Sequence, residues 1–484
     1  MDFGSASSFV SPFRVDGGII VTINSTYKYG KSTQNGGLFY IMNGIFEEQG
    51  SNHYDDISSI QGSVIYLVNS SAKFNNFTMQ NTLAYRGGIF YIGEGSSLEL
   101  INGTIKHSTA LDRGGIIFAK DGLGLVEGYL KIENLEITSS ISLNDGGAFY
   151  IESPKLALNF QNIVVSESMS LKGNGGFMNL ISTASLIANG LQLKDSFSFQ
   201  KGHFIYSETA EIIEVFNSTF VQQMYLEQLP IEIEQQYYSS GIMLYQAQKS
   251  MFTNCTFQSN ILSQQGGALH INGGNFECNG CNFYNNTAYN GGAMYLLQTN
   301  SITLNNVYIK NANAYQNGGG ININLPQGNT TIRNSTIYQS SCSQYTAGIY
   351  YTGEAEDAGL TTNQNIENVR ILGTDNSNQP DQVQSEVPFI FLVLELDQII
   401  FQELDAQNAV ALYLEQESSF LKIKNVEDYV FINSTKIECS IDKLVLGDNG
   451  AGRIELDGDQ YDWFDSTYFA PIQIYNTKQY KLIL

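Results

Sequence analysis

A short glycine-led motif returns at nearly regular intervals along most of this chain. It consists of two glycine or small residues, two apolar residues and, in many copies, a tyrosine. The copies are GGIIV at 17, GGLFY at 36, GSVIY at 62, GGIFY at 87, GGIIF at 114, GGAFY at 146, GGFMN at 175, GHFIY at 202, GIMLY at 241, GGALH at 266, GGAMY at 291, GGGIN at 318 and AGIYY at 347. The commonest spacing is 25 to 27 residues. Self-similarity at such a period is typical of solenoid folds, in which each repeat supplies one coil.

A second motif, an asparagine that opens a short strand, precedes most of these glycines by 11 to 13 residues. Its copies are NFTM at 76, NGTI at 102, NLEI at 134, NIVV at 162, NGLQL at 189, NSTF at 217, NCTF at 254, NVYI at 306 and NSTI at 334. Glycine and asparagine both tolerate the left-handed backbone that tight corners need. Because the two motifs keep a fixed phase, we predict an all-β fold, a single-stranded right-handed parallel β-helix of about 13 to 16 coils with terminal caps.

The spacing also predicts the organisation of the chain. An N-terminal cap is expected at residues 1–16, the β-helix at 17–442 and a C-terminal β cap at 443–484. One spacing of 39 residues contains a polar and acidic stretch, which we assign to a loop insertion at about 221–240. Such insertions leave the register of a solenoid core intact.

Strand alternation predicts which motif positions face the core. The fourth residue is bulky and apolar and should point inward, as at Phe39, Ile65, Phe90, Phe149, Ile205, Leu269 and Met294. The third and fifth residues should then point outward. The fifth would form a stripe suited to an interface or to glycan stacking: Tyr40, Tyr66, Tyr91, Tyr150, Tyr206, Tyr245, Tyr295 and Tyr351. In the alternative, the chain bends between the fourth and fifth residues and the tyrosines stack in the core.

The charge balance restricts the partners. The chain has 47 acidic and 24 basic residues, a net charge of −23, which repels nucleic acid and anionic lipid surfaces. No run of 18 uncharged apolar residues is present, so no membrane span is predicted. The first residues lack the basic start and apolar core of a signal peptide. A secreted protein would therefore have lost that segment, or the chain would be a fragment.

Two adjacent repeats resemble a known pattern. CTFQSN at 255–260 leads to GGAL at 266, and CNFYNN at 281–286 leads to GGAM at 291. These resemble the FxxN and GGA[ILV] repeats of chlamydial polymorphic membrane proteins and of ciliate surface proteins. The resemblance implies a pectin-lyase-like β-helix that acts in adhesion at the cell surface. We therefore expect an extracellular structural or adhesive glycoprotein that self-assembles into a fibre or surface layer, with itself, other surface proteins or glycans as partners.

Pectin-lyase-like folds also include polysaccharide lyases and hydrolases, so this class is the alternative. The chain has neither a paired-Asp motif followed by Gly-His-Gly nor an Arg-rich lyase motif, and we predict no catalytic residues and no cofactor. Three carboxylates in one groove, or carboxylates together with Arg or Lys, would favour the enzyme. The four histidines are far apart in sequence and are predicted to be surface residues: His53, His107, His203 and His270.

Cysteines and acidic residues suggest two further sites. Cys255 and Cys281 occupy equivalent positions in adjacent coils, close to disulfide range, and Cys278 competes for the same partner. The alternative is a set of reduced thiols in the core. A single CxxC does not make a zinc site. A weak calcium candidate, against which we prefer a solvated acidic turn, comprises Asp457, Asp459, Asp462 and Asp465.

Ten N-x-S/T sequons are candidates for N-glycosylation if the protein is secreted. They are Asn24, Asn69, Asn76, Asn102, Asn217, Asn254, Asn285, Asn329, Asn334 and Asn433. Several coincide with the asparagine that the repeat needs at its corner. Their number alone is therefore weak support for glycosylation.

Overall fold

The computed structural model describes residues 11–121, 127–183, 185–222, 240–260, 263–343 and 347–352 in full. Beyond 352 it describes the backbone of short strands and the side chains of 369–371. The chain divides into two compact units, residues 1–249 and 250–484. The described residues form no helix, and they supply about 12 turns of parallel β-solenoid in all. The all-β solenoid is confirmed, and its number of coils is close to the predicted one.

The strands up to residue 245 belong to the first unit. They are β1 Phe13–Ile23, β2 Thr26–Lys28, β3 Phe39–Gln49, β4 Asn52–Gln61, β5 Ile65–Val68, β6 Ser71–Arg86, β7 Phe90–Ile92, β8 Ser97–Ala110, β9 Ile117–Lys120, β10 Gly128–Ser142, β11 Phe149–Glu152, β12 Leu156–Ser170, β13 Met178–Ile181, β14 Ser185–Lys194, β15 Phe197–Ser198, β16 Ile205–Glu208, β17 Ile212–Phe216, β18 Thr219–Val221 and β19 Ile242–Tyr245.

The strands from residue 249 onward are mostly shorter. They are β20 Lys249–Thr253, β21 Thr256–Gln258, β22 Ser263–Gln265, β23 Leu269–Asn272, β24 Asn275–Asn279, β25 Asn282–Tyr284, β26 Thr287–Asn290, β27 Met294–Leu297, β28 Ser301–Asn305, β29 Tyr308–Lys310, β30 Asn313–Asn317, β31 Ile321–Asn324, β32 Thr330–Arg333, β33 Thr336–Tyr338, β34 Ser341–Cys342, β35 Ile349–Thr352, β36 Gln364–Glu367, β37 Val369–Leu372, β38 Val383–Glu386, β39 Ile399–Ile400, β40 Tyr413–Leu414, β41 Ile423–Asn433, β42 Thr435–Leu444, β43 Arg453–Leu456 and β44 Asp459–Asp462.

A typical coil of the first unit contains a short strand followed by a long strand. The short strands β5, β7, β9, β11, β13 and β16 pair in parallel from coil to coil. The long strands β6, β8, β10, β12 and β14 pair in the same way. Left-handed residues bend each long strand, such as Asn102 with φ 53° and His107 with φ 52° in β8. Asparagine and histidine adopt this region more readily than most residues, which accounts for the asparagine motif.

In the second unit, three short strands replace the long one. Strand β24 pairs with β28, β25 with β29 and β26 with β30. Gly280, with φ 64°, and Asn285, with φ 53°, occupy the corners between β24, β25 and β26. Both units therefore turn at residues that accept a left-handed backbone.

The core confirms the inward direction of the fourth motif residue. All seven residues predicted to point inward are at most 1% exposed. The prediction for the third residue was wrong, because Leu38, Val64 and Ile89 are fully buried as well. In these copies the short strand begins at the fourth residue or later. Strand alternation therefore starts after the third residue and does not govern its direction.

The two glycines of the motif have different roles. The first has a left-handed backbone, as at Gly87 with φ 61°. At the second, such as Gly88, a Cβ atom would lie 1.9 Å from the carbonyl oxygen of Gly115 in the next coil. Serines on the inner side of the long strands bind the carbonyls of these second glycines. Ser140 Oγ, for instance, donates to Gly147 at 2.8 Å. Each long strand is thus held closely to the following short strand.

Several predicted boundaries can be compared with the strands. Strand β1 already pairs with β3 from Phe13 onward, so the solenoid pairing begins before residue 17. Strands β41 and β42 form an antiparallel hairpin across the predicted boundary between 442 and 443. Most of the predicted insertion at 221–240 lies outside the described residues. Among the described residues, none forms a helix long and apolar enough to cross a membrane.

Candidate functional site

One outward row of the first unit is aromatic. It runs along the short strands and consists of Tyr40, Tyr66, Tyr91, Phe118 and Tyr150, which are paired residue to residue in successive coils. We call it the aromatic row. The ring centroids are 5.0, 4.3, 5.3 and 5.1 Å apart, and the interplanar angles are between 12° and 23°. The rings therefore stack face to face, as parallel in-register strands require.

Cationic side chains lie over several rings of the aromatic row. The Cζ atom of Arg14 is 4.6 Å from the ring centre of Tyr40, and that of Arg113 is 5.0 Å from the ring centre of Tyr150. A guanidinium over an aromatic face is attracted by the negative face of the ring. Tyr150 is only 4% exposed as a result of this cover and of stacking, although its side chain points out of the core.

Arg113, and Arg86, whose Cζ atom lies 5.4 Å from the ring centre of Phe118, form ion pairs with carboxylates from neighbouring coils. Arg86 Nε lies 2.7 Å from Asp112 Oδ2, and Arg113 Nε lies 3.1 Å from Asp145 Oδ2. Asn144 Nδ2 also donates to Asp112 at 2.8 Å. The pairs join successive coils beside the aromatic row and form a continuous network.

A second part of the network surrounds Tyr150. Its hydroxyl donates to Glu152 at 2.9 Å, and Lys120 Nζ lies 2.8 Å from the same carboxylate. Burial raises the pKa of Glu152, but hydrogen bonds from Lys120 and Tyr150 outweigh it and hold the pKa below its usual range. Burial and the bond to Glu152 raise the pKa of Tyr150.

This network brings carboxylates and cations together on one face, whereas the criterion for an enzyme was their convergence in one groove. Its protonation does not suit acid catalysis. Burial raises the pKa of Asp112, but hydrogen bonds from Arg86 and Asn144 outweigh it and lower the pKa overall. A general acid needs a raised pKa, whereas Asp112 and Glu152 are kept ionised. Neither Asp112 nor Glu152 is therefore suited to act as a general acid.

The predicted tyrosine stripe is only partly reproduced. Tyr40, Tyr66 and Tyr91 are half-buried, whereas Tyr150 and Tyr206 are buried. Their ring faces are occupied by neighbouring rings, so a sugar ring has edges rather than faces to contact. The stripe does not continue as predicted into the second unit, where Tyr295 is 4% exposed.

Two tyrosines were assigned to the wrong register. Tyr245 pairs with Glu208, and Tyr206 pairs instead with Met243. Tyr351 pairs with the buried Ile323. In both copies the residue taken as the start of the motif lies later in the coil than in the others, so the fifth residue falls two positions beyond the stripe at Tyr245 and one position beyond it at Tyr351.

A different outward surface of the first unit is apolar and partly exposed, although Arg86 lies over Tyr85 and His203 stacks on Phe197. It lies at the ends of the long strands and consists of two neighbouring rows. One row contains Leu83, Thr109, Ile141, Met169 and Phe197, which are paired directly. The other contains Ile60, Tyr85, Leu111, Leu143, Leu171 and Phe199, each adjacent to a paired residue. We call these the bare rows.

The bare rows include several of the most exposed apolar side chains in the described part of the chain. Leu83, Ile60, Leu171, Tyr85 and Leu111 are 41 to 51% exposed. The other members of the rows are half-buried. The sequence reasoning did not identify this surface. A signal was present, since Tyr85, Leu111 and Leu143 precede the glycine pairs by two or three residues.

The sequon asparagines lie at corners. Nine of the ten are exposed, and Asn433 lies outside the described side chains. Eight of these nine have a left-handed backbone, the exception being Asn329. Some form ladders between coils, such as Asn102, which accepts a 3.0 Å bond from Asn134. Their amide groups are therefore accessible from solvent at defined positions.

The cysteines and two of the histidines differ from expectation. Cys255, Cys278, Cys281 and Cys342 are buried and form no disulfide, so the predicted disulfide is absent among the described residues. This is the reduced core that was the alternative. His203 and His270 are 2% and 1% exposed, because they occupy motif positions that face neighbouring coils and not solvent. Burial lowers the pKa of His203 to about 4.

Metal sites can be judged only for the described part of the chain. There, no group of three His, Cys, Asp or Glu side chains is placed to hold a metal ion. Of the weak calcium candidate, Asp457 and Asp465 lie outside the described residues, and Asp459 and Asp462 lie in β44.

A scan against protein-family models finds no match for this chain, and searches of curated proteins and of solved structures find none either. The parallel solenoid thus rests on the observed strand pairing. A relation to pectin-lyase-like or chlamydial repeat proteins rests on the repeat motifs alone.

Proposed function

We propose that this chain is an extracellular structural and adhesive protein of a cell surface. The observation that carries the proposal is the pair of bare rows, in which apolar side chains face outward in six successive coils. Apolar surface of this extent marks an interaction site in most proteins. A solenoid suits such a role because it repeats one side chain at a fixed spacing from coil to coil.

Three further features support the proposal. The net charge of −23 disfavours nucleic acid and anionic lipid as partners. Exposed sequons at corners suit a secreted glycoprotein. The resemblance of the FxxN and GGA[ILV] repeats to those of microbial surface proteins points the same way, and it carries the pectin-lyase-like assignment as part of this proposal.

Adhesion of coated beads tests the proposed function. Beads that carry the full chain should adhere to one another, to cells or to immobilised polysaccharide under flow. The double variant Leu111→Glu with Leu171→Glu should remove most of this adhesion, because it places charges in the bare rows. Absence of adhesion to all three surfaces by the unmodified chain would refute the proposal.

An enzyme acting on acidic polysaccharide is the second candidate. It is favoured by the cluster of Arg86, Asp112, Arg113, Asp145 and Glu152 on one face. Incubation with polyuronates, followed by assays for reducing ends and for unsaturated products, distinguishes the candidates. Turnover that is lost in Arg113→Met would establish the enzyme, whereas the proposed function predicts no product.

A further inference from the structure

We propose that the bare rows are the contact surface for a second copy of this chain. The inference rests on the proposed adhesive function and names its partner. The surface lies wholly within the first unit, between residues 60 and 199, and is formed by the outward side chains at the ends of consecutive long strands.

The area of the bare rows is suited to a dimer. From their fractional exposures, the five most exposed members present roughly 500 Å² of side-chain surface, and the half-buried members add to it. Each partner in a standard protein interface buries about 800 Å². The rows together with their immediate rim therefore approach what a specific, stable contact requires.

The charge of the chain favours this face over others for self-association. Two copies that each carry −23 repel one another. They can approach most easily through a surface without charged groups, and no member of either bare row is charged. By contrast, the outer face of the long strands nearer their beginning carries alternating charges, as at Lys73 and Glu99, which lie 3.4 Å apart.

Glycans would leave this face open. The sequons of the first unit are Asn24, Asn69, Asn76, Asn102 and Asn217, and none of them lies in the bare rows. Asn102, for instance, precedes Thr109 by seven residues and lies at a different corner of its coil. A glycosylated protein could therefore still bring two of these faces together.

The geometry of the rows allows a closed contact. Their side chains repeat once per coil, at about 4.8 Å, on the outer face of a parallel sheet. Two such faces can interdigitate as packed sheets do in sandwiches. Because the same patch is used on both copies, the contact is isologous and ends at two chains.

Sedimentation velocity of the full chain over a concentration series tests the inference. The unmodified chain should sediment as a reversible dimer. Leu111→Glu with Leu171→Glu should weaken dimerisation at least about 100-fold, because each contact would bury four uncompensated charges. Both side chains are about half exposed, so circular dichroism and the unfolding temperature should stay close to those of the unmodified chain.

The matched control is Val164→Glu with Ile187→Glu. These residues are 43% and 42% exposed, lie in the same unit and add the same charge, but they are outside the bare rows. The control should dimerise as the unmodified chain does. An unmodified chain that stays monomeric, or equal losses in the two double variants, would overturn the inference.

Two other results separate the inference from the proposed function. Binding of a monomeric chain to neutral phosphatidylcholine vesicles, lost in Leu111→Glu with Leu171→Glu, would assign the bare rows to lipid and overturn the inference. A monomer that still mediates bead adhesion would overturn the inference and retain the function. A dimer whose beads adhere to nothing would support the inference and refute the function.

Discussion

The aromatic row and the bare rows lie on the same coils of the first unit, and both consist of outward apolar side chains. They differ in what covers them. Arginines and ion-paired carboxylates of the chain itself lie over and beside the aromatic row, so that Phe118 and Tyr150 are almost inaccessible. Leu111, in contrast, is 51% exposed. An outward apolar row is thus an interaction surface only where the chain does not cover it.

The cover originates in the short loop that joins the two surfaces. In the sequence Leu111-Asp112-Arg113-Gly114, the leucine belongs to the bare rows and the two charged residues reach over the aromatic row. In the preceding coil Arg86 lies over Phe118 of the aromatic row and also 5.5 Å from the ring centre of Tyr85, which nevertheless remains 48% exposed. One loop therefore leaves one surface exposed and shields the other.

The largest loss in the free energy of unfolding is expected from a substitution near the loop between the bare rows and the aromatic row. In Gly88→Ala, the added Cβ atom would lie 1.9 Å from the carbonyl oxygen of Gly115, so the two successive coils would have to move apart at this point. We expect a loss of about 3–5 kcal/mol in the free energy of unfolding. Urea unfolding measures it.

Gly17→Ala is the control for this substitution. Gly17 has a φ of +78° but no atom within 4 Å of an added Cβ. The Gly17→Ala variant should lose only about 1–2 kcal/mol in the free energy of unfolding, which is the cost of a left-handed alanine. If Gly88→Ala lost no more than Gly17→Ala, the close approach of the coils would not explain the second glycine.

Glu48, a buried carboxyl inside the first unit, has a raised pKa, in contrast to the lowered pKa of the arginine-paired Asp112. Burial raises the pKa of Glu48 to about 8, and hydrogen bonds from Tyr54 and from the backbone of Asn75 offset this only in part. Its pKa is higher in the folded state than in the unfolded state. The folded protein therefore retains the Glu48 proton. The stabilisation that comes from this proton is fully present below about pH 4.5 and is lost as the pH rises through about 8.

The expected loss is about 3 kcal/mol between pH 5 and 8, since one pKa unit corresponds to about 1.4 kcal/mol. Unfolding in urea at several pH values measures it. Glu48→Gln should remove most of this slope, whereas Glu47→Gln, at an exposed neighbouring position, should preserve it. An unchanged slope in Glu48→Gln would show that Glu48 is ionised in the fold.

Alanine in each row tests the comparison directly. Tyr150→Ala removes a ring that is 4% exposed and should lower the free energy of unfolding by about 2–3 kcal/mol. Leu111→Ala removes a side chain that is half exposed and should change it by less than about 0.5 kcal/mol in the monomer. Similar losses in both would mean that the bare rows are as well packed as the aromatic row.

Much of the fold could be predicted because its residues have few alternatives. Many left-handed corners carry glycine or asparagine, which accept this backbone most readily, and strand alternation predicted that Phe90 points inward. The third motif residue, such as Leu38, was misjudged because the strand begins after it. The aromatic row could be predicted, but not its cover, because a long side chain such as Arg113 can reach several neighbours. The exposure of Leu111 was not predicted, because Leu111 precedes the motif at Gly114 and strand alternation within the motif does not determine its direction.

Removing a single cationic side chain from over the aromatic row should cost less stability than removing a ring of that row. Arg113→Met keeps the length and apolar stem of the side chain but removes its contact with the Tyr150 ring and its ion pair with Asp145. Because Arg113 is partly exposed, the expected loss is only about 1 kcal/mol. It should shrink at high salt, which screens the ion pair. The control is Lys172→Met, which removes a neighbouring exposed charge and should change the free energy of unfolding little. If Lys172→Met lost as much stability as Arg113→Met, the loss would come from the change in net charge and not from the contact with the aromatic row.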